Sequence, residues 1–201
     1  YAESVKLQAD GKIVVAGYTL DADTTDFALA RYNPDGTLDA SFGNGGKVVT
    51  DFGTIDYGSS VALQADGKIV VAGTSQGDGV ATFSLARYNP DGSLDLSFGV
   101  NGKVTTDYGL GRVAHSVLIQ ADGKILLVGS ANSTGNGGDY APGRHNPHRS
   151  PGPEVNRGGG RSTLDGKPTY TGIKGPFGSP SAVVLDSNVC IYDAELSGAA
   201  S

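Results

Sequence analysis

Apolar residues in this chain come in short blocks, and within a block the spacing is two rather than three or four. Ser60-Val61-Ala62-Leu63-Gln64 alternates polar and apolar side chains, which predicts a half-buried strand. Ala65-Asp66-Gly67-Lys68 then reads as a tight turn, with Gly67 free to take the positive φ that closes a type I turn and its bulge. The β-branched run Ile69-Val70-Val71-Ala72-Gly73 predicts a strand covered on both faces. Phe83 to Tyr88 alternates again and runs into Asn89-Pro90-Asp91-Gly92, where Pro90 presets φ and Gly92 supplies the left-handed position of a second hairpin turn. Ser93 to Phe98 is expected as the returning strand, and Gly102 to Thr106 as a short segment leading onward. No stretch has a helical period.

The blocks repeat. Gln-Ala-Asp-Gly-Lys begins at Gln8, Gln64 and Gln120, a spacing of 56 residues each time. Arg-Tyr-Asn-Pro-Asp-Gly begins at Arg31 and Arg87, Ser-Phe-Gly at Ser41 and Ser97, and Thr50-Asp51-Phe52-Gly53 returns as Thr106-Asp107-Tyr108-Gly109. Aligned without gaps, the first two units agree at roughly 60% of positions, too many for composition bias. The expected units are 1–56, 57–112 and 113–165. The third keeps the pattern through ADGKILLVG (121–129) and Asp139-Tyr140-Ala141, then degenerates from 142. There Pro142, Pro151 and Pro153 are poor interior strand residues because each lacks a ladder donor. Tyr1 falls in phase with Tyr57 and Val113, so the chain opens inside the pattern and reads as a fragment.

Four up-and-down strands within 56 residues have the size and order of a propeller blade, whereas a β-helix rung is far shorter. The expected fold is therefore all-β: a β-propeller-type array of four-stranded antiparallel blades, incomplete or open. The order VALQ-ADG-KIVVAG … F-LARYNPDGSLD-SFG resembles the bacterial delta-60 repeat and is similar to the blade of NHL-type propellers. That resemblance is strong over 1–141 and faint over 142–165. It implies a large, modular, secreted or surface-attached bacterial protein, often joined to calcium-binding or cadherin-like modules, in a group whose biochemical activity is mostly unassigned. Residues 166–201 differ. A Gly/Pro-rich link (172–181) precedes two expected strands around Asp186-Ser187-Asn188, which suit either a partial fourth blade or the start of a β-sandwich module. The stretch AVVLDSNVCIYDAELS resembles the opening of cadherin-like modules.

Composition narrows the function. With 15 Lys+Arg against 21 Asp+Glu the net charge is −6, and no basic cluster exists, which argues against nucleic acid and anionic membranes. No apolar run is long enough for a membrane helix, so membrane insertion is not expected. The lone Cys190 excludes an internal disulfide framework. Three and a half units cannot close a ring, and their exposed blade edges invite self-association or completion by a longer parent.

Candidate chemistry is sparse. Asp35, Asp39, Asp91 and Asp95 lie in or just after the NPDG turns, and Asp21, Asp23 and Asp26 form a denser acidic loop. Grouped carboxylates hold Ca²⁺, although Asp-Gly is also what a tight turn wants and an EF-hand ligand series is missing. His145 and His148 have a spacing a metal could use, but they overlie Tyr and Asp of the intact units and have no third ligand nearby. His115-Ser116, with Asp107 upstream, is the one His-Ser neighbour pair, yet Ser116 occupies the repeat position of Ser4 and Ser60, and no G-x-S-x-G elbow occurs. The glycines at 43–47 and 156–162 lack a phosphate-loop pattern. Arg31 and Arg87 recur beside Tyr32 and Tyr88, as blade-to-blade packing would require, with each guanidinium stacked or paired. The expectation is an extracellular, non-catalytic binding or adhesion module. Its variable loops at 18–26, 74–82 and 130–139 would meet a protein or glycan surface ligand, with no cofactor required and Ca²⁺ as an option. The alternative is a propeller-type hydrolase of the esterase or glycosidase class with a loop-built site.

Overall fold

A computed structural model describes residues 1–20, 24–53, 55–77, 80–106, 112–132 and 138–145, together with strands 161–164, 167–171, 183–186 and 189–191. The chain divides into two compact units, Tyr1–Val155 and Asn156–Ser201. Among the described residues there are strands and turns and no helix.

In the first unit, β1 (Ala2–Leu7), β2 (Ile13–Tyr18), β3 (Phe27–Tyr32) and β4 (Lys47–Thr50) form one antiparallel sheet in chain order. The second sheet repeats it with β5 (Ile55–Leu63), β6 (Ile69–Gly77), β7 (Val80–Tyr88) and β8 (Lys103–Thr106). In the third, β9 (Arg112–Ile119), β10 (Ile125–Asn132) and β11 (Gly138–His145) are hydrogen-bonded in the same way. Register follows the 56-residue period, with Leu7 opposite Ile13, Leu63 opposite Ile69 and Ile119 opposite Ile125. Even the irregularities repeat: the first strand of each blade bulges once, at Glu3, Ser59 and His115. This is an open, incomplete β-propeller array of four-stranded antiparallel blades.

The turns form as their sequences require. Gly11, Gly67 and Gly123 have φ of 82°, 83° and 80°, and each amide donates to the carbonyl of the preceding Gln8, Gln64 or Gln120 at 2.9–3.0 Å. Asp10, Asp66 and Asp122 accept from the amides of Lys12, Lys68 and Lys124, an Asx arrangement that fixes the turn locally.

Two expectations are corrected. The loops expected at 74–82 and 130–139 are largely strand, with β6 running to Gly77 and β7 starting at Val80, and β10 running to Asn132 and β11 starting at Gly138. Conversely, Ser93 to Phe98 is not a strand; it contributes only an isolated bridge between Tyr88 and Leu94, and the returning strand is β8. The Asp95 carboxylate accepts from the Ser97 amide and hydroxyl, while the Phe98 amide donates to the Asp95 carbonyl. These local bonds curl the segment and turn Phe98 into the core, where it is fully buried. Pro142 lies within β11 opposite Val128, on the outermost described strand of its sheet, where a missing donor is tolerated.

The core lies between blades. Val14, Ala16, Phe27, Leu29 and Phe42 of the first blade pack with Val61, Ile69, Val71, Ala86 and Tyr88 of the second. From its opposite face, Val70, Ala72, Phe83, Leu85, Phe98 and Val104 pack with Ala114, Val117, Ile125 and Leu127 of the third. The unbroken run Ile69-Val70-Val71-Ala72 is thus a central strand with two buried faces. Val5 shows the converse. It is 60% exposed, while its repeat mates Val61 and Val117, covered by the blade before them, are at 0% and 2%. Such burial is worth about 1.5–3 kcal/mol per side chain, and a blade obtains it only from a neighbour.

Among its described residues the unit Asn156–Ser201 contains two antiparallel strand pairs, β12 (Arg161–Leu164) with β13 (Lys167–Thr171) and β14 (Val183–Asp186) with β15 (Val189–Ile191). The second is the strand pair expected around Asp186-Ser187-Asn188.

Candidate functional site

The buried arginines of the first two blades recur with the repeat and are paired with carboxylates. Arg31 Nε lies 2.7 Å from Asp39 Oδ2, and Arg87 Nε lies 2.8 Å from Asp95 Oδ2. Lys12 and Lys68 add a second cation to each carboxylate, at 3.0 and 3.6 Å. Each guanidinium also sits over an aromatic ring, Arg31 on Phe42 at 4.5 Å and Arg87 on Phe98 at 4.4 Å. Arg31 reaches the next blade by donating from Nη1 to the Pro90 carbonyl. Stacking and pairing, both expected of these arginines, occur together.

This network also engages the carboxylates that follow the NPDG turns. Hydrogen bonds from the Ser41 hydroxyl and from Lys12 hold the Asp39 carboxyl far below its ordinary value, against the opposing effect of burial. At Asp95 burial acts upward but is outweighed by the Ser97 hydroxyl and amide and by the charges of Arg87 and Lys68, so that carboxyl is lowered too. Asp35 and Asp91 serve the turns themselves. Asp35 Oδ1 accepts from the Thr37 amide and hydroxyl at 2.9 and 2.6 Å, and Asp91 Oδ1 from those of Ser93 at the same distances.

The His115-Ser116 pair does not form a nucleophile-base contact. His115 is the exposed bulge residue of β9, and its Nε2 pairs with Ser130 Oγ at 3.1 Å. Ser116 occupies a docking position. In the two preceding blades Ser4 Oγ accepts from the Val61 amide and Ser60 Oγ from the Val117 amide, both at 3.2 Å, so each hydroxyl joins one inner strand to the next. Asp107 and His148 lie outside the described residues, as do Asp21 and Asp23.

Asp26 is different. It directly precedes β3 and is brought together with Asp51, which follows β4, and Asp56 in β5, so that one carboxylate oxygen from each lies within 4.8 Å of the others. The geometry is set by backbone at the junction of the first two blades: the Asp56 amide donates to the Thr25 carbonyl at 2.6 Å, and Thr25 bridges Ile55 in parallel. Asp56 is fully buried, Asp26 is 9% exposed and Asp51 is exposed. The Phe52 amide donates to Asp56 Oδ2 at 2.6 Å, the Gly53 amide to Asp51 Oδ1 at 2.5 Å, and the Thr24 hydroxyl to Asp26 Oδ2 at 3.2 Å. Two buried oxygens, Asp26 Oδ1 and Asp56 Oδ1, have no hydrogen-bond partner. Burial pushes the Asp56 carboxyl above its ordinary value, and the negative charges of Asp51 and Asp26 push the same way, against the Ser75 hydroxyl and the Phe52 amide.

Asp51 and Asp56 were not among the sequence candidates. Asp51 recurs as Asp107 and reads as part of the repeat. Asp56 stands at the seam between units, where the aligned residue of the next unit is Arg112. The available signal was the departure from the repeat at Asp26/Thr82 and Asp56/Arg112.

Three stretches of the chain, residues 8–42, 64–98 and 120–141, match the model of a family described as "Domain of unknown function (DUF5122) beta-propeller". Together they make up just under half of the sequence and repeat at the period of the blades. No curated protein matches the chain.

Proposed function

We propose that this propeller array is a non-catalytic binding scaffold, a delta-60-type segment of a secreted or surface-attached bacterial protein whose variable loops recognise a protein or glycan surface. The observation that carries this reading is the division of labour along the repeat. Arg31/Arg87, Asp39/Asp95 and the NPDG turns are engaged in contacts that build each blade, while Ser4, Ser60 and the Arg31–Pro90 contact join one blade to the next. What differs between units is concentrated where the second strand passes into the third, at 18–26 and at 74–82, the latter comprising the end of β6, residues 78–79 and the start of β7. Variable loops on a rigid sheet are a common location for recognition. The delta-60 resemblance supports placement outside the cell.

The test is a panel of immobilised bacterial and host glycans probed with the whole chain and with a loop variant in which Gln76, exposed near the end of β6, and Asp78, between β6 and β7, are replaced by Ser. Binding to a defined glycan that the loop variant loses, with an unchanged melting midpoint, supports the reading. Turnover of ester or glycoside substrates that His115→Ala or Ser116→Ala abolishes would replace it with a hydrolase.

A further inference from the structure

We propose that Asp26, Asp51 and Asp56 form a calcium site that ties the first blade to the second. Three carboxylates from three separate segments converge so that an oxygen of each lies within 4.8 Å of the others. Calcium–oxygen bonds of about 2.3–2.6 Å allow two ligands of one ion to stand up to about 5 Å apart, so a single ion can touch all three. The donor set is entirely oxygen, which selects a hard cation over zinc or copper.

This negative charge meets hydrogen-bond donors but, among the described residues, no cation. Among the described residues no Lys, Arg or His forms an ion pair with any of the three carboxylates. The nearby Lys103 ammonium is directed instead to the Asp51 carbonyl, at 2.8 Å, and lies over the Phe52 ring. Buried carboxylate oxygens ordinarily have partners, yet Asp26 Oδ1 and Asp56 Oδ1, on the two buried members of the cluster, have none. The carboxylates that follow the NPDG turns, Asp39 and Asp95, are by contrast each met by two cationic side chains.

The repeat supplies an internal control. At the next junction the aligned residues are Thr82, Asp107 and Arg112, so two carboxylates are replaced and one of them by a cation. Stacking two blades therefore does not require the acidic trio. Its members enter from the start of β3, the end of β4 and the start of β5, so an ion bound there would cross-link the seam between blades. With three protein carboxylates and a partly open position at Asp51, the affinity belongs to the weak range of extracellular calcium modules, about 10⁻⁴–10⁻³ M. This inference is independent of which surface the loops recognise.

The experiment is calcium titration of the whole chain by isothermal calorimetry after chelator treatment, paired with thermal melts in about 5 mM CaCl₂, in MgCl₂ at equal ionic strength and in EDTA. The expected result is one calcium per chain and a melting midpoint that rises with calcium concentration, as mass action requires, and rises less with magnesium. Asp26→Asn, Asp51→Asn and Asp56→Asn should each weaken calcium binding at least tenfold. Asp56→Asn in EDTA should melt no lower than the parent, because it removes a buried charge. If Asp56→Asn fails to fold, the exposed Asp51→Asn carries the test. Absence of calcium binding, an equal response to magnesium, or unchanged calcium binding by the Asp51→Asn variant would overturn the proposal.

Discussion

The Tyr88 hydroxyl donates to Thr50 Oγ1 at 2.7 Å, joining β7 of the second blade to the end of β4 in the first, with both residues buried. Burial pushes the phenol well above its ordinary value, and the acceptor at Thr50 only partly opposes this. Tyr88 should therefore stay protonated in the folded chain. In an ultraviolet titration one tyrosine should ionise only with unfolding. Tyr88→Phe leaves the Thr50 hydroxyl without its donor and should cost about 0.5–1.5 kcal/mol, measured by urea unfolding. Thr50→Val should cost a similar amount, and the double variant less than the sum.

Phe27 and Gly73 form a second link across the same seam. A Cβ at Gly73 would stand 2.6 Å from Phe27 Cζ and also meet the Tyr57 carbonyl. Gly129 repeats this arrangement with Phe83 Cζ at 2.5 Å, whereas the atoms nearest a Cβ at Gly17 in the first blade are backbone atoms of Tyr1 and Ala2. Gly73→Ala and Gly129→Ala should each destabilise by about 1–3 kcal/mol or more, since the close approach includes backbone that cannot step aside. The check is the urea midpoint of each variant against the parent.

Acid should act through the Asp39 and Asp95 networks. Both carboxyls are lowered in the folded chain, so they bind protons less readily there than when unfolded. Their contribution to stability is fully present above the unfolded value near 4 and is lost as pH falls through the lower folded values. Unfolding free energy should thus be insensitive to these groups between pH 7 and 5 and fall below about pH 4. Asp95→Asn should lower stability at neutral pH, by leaving Arg87 without its carboxylate, and should flatten the acid limb. Denaturant melts from pH 7 to 2.5 measure both.

The inner-strand serines should behave as docking residues. Ser60→Ala removes the acceptor for the Val117 amide and should cost about 0.5–2 kcal/mol, with hydrogen exchange at Val117 accelerated and that at Leu7 unchanged. Faster exchange throughout the first blade would contradict a local role.

The blade was legible because its signals are local and occur more than once. The Gly67 turn, the doubly buried Ile69–Ala72 strand and the pairing of Arg31 and Arg87 follow from residue type and period, and repetition separates them from coincidence. Ser93–Phe98 was misread for a local reason too: its alternation looks like a strand, while the Asp95–Ser97 hydrogen bonds that curl it depend on side-chain geometry that alternation does not encode. The acidic trio was harder still. Asp26, Asp51 and Asp56 are separated by 25 and 5 positions, and only the stacking of one blade on the next brings them together. Asp26 is one of several loop acids, and Asp56 lies at the boundary between units, where the next unit carries Arg112 in its place.

That consecutive 56-residue units stack face to face through equivalent contacts is tested most directly by nuclear Overhauser contacts in solution. The ring protons of Phe27 should contact the Gly73 α-protons, and those of Phe83 the Gly129 α-protons. Absence of these contacts at both junctions, in a chain that is otherwise folded, would contradict the stacked array.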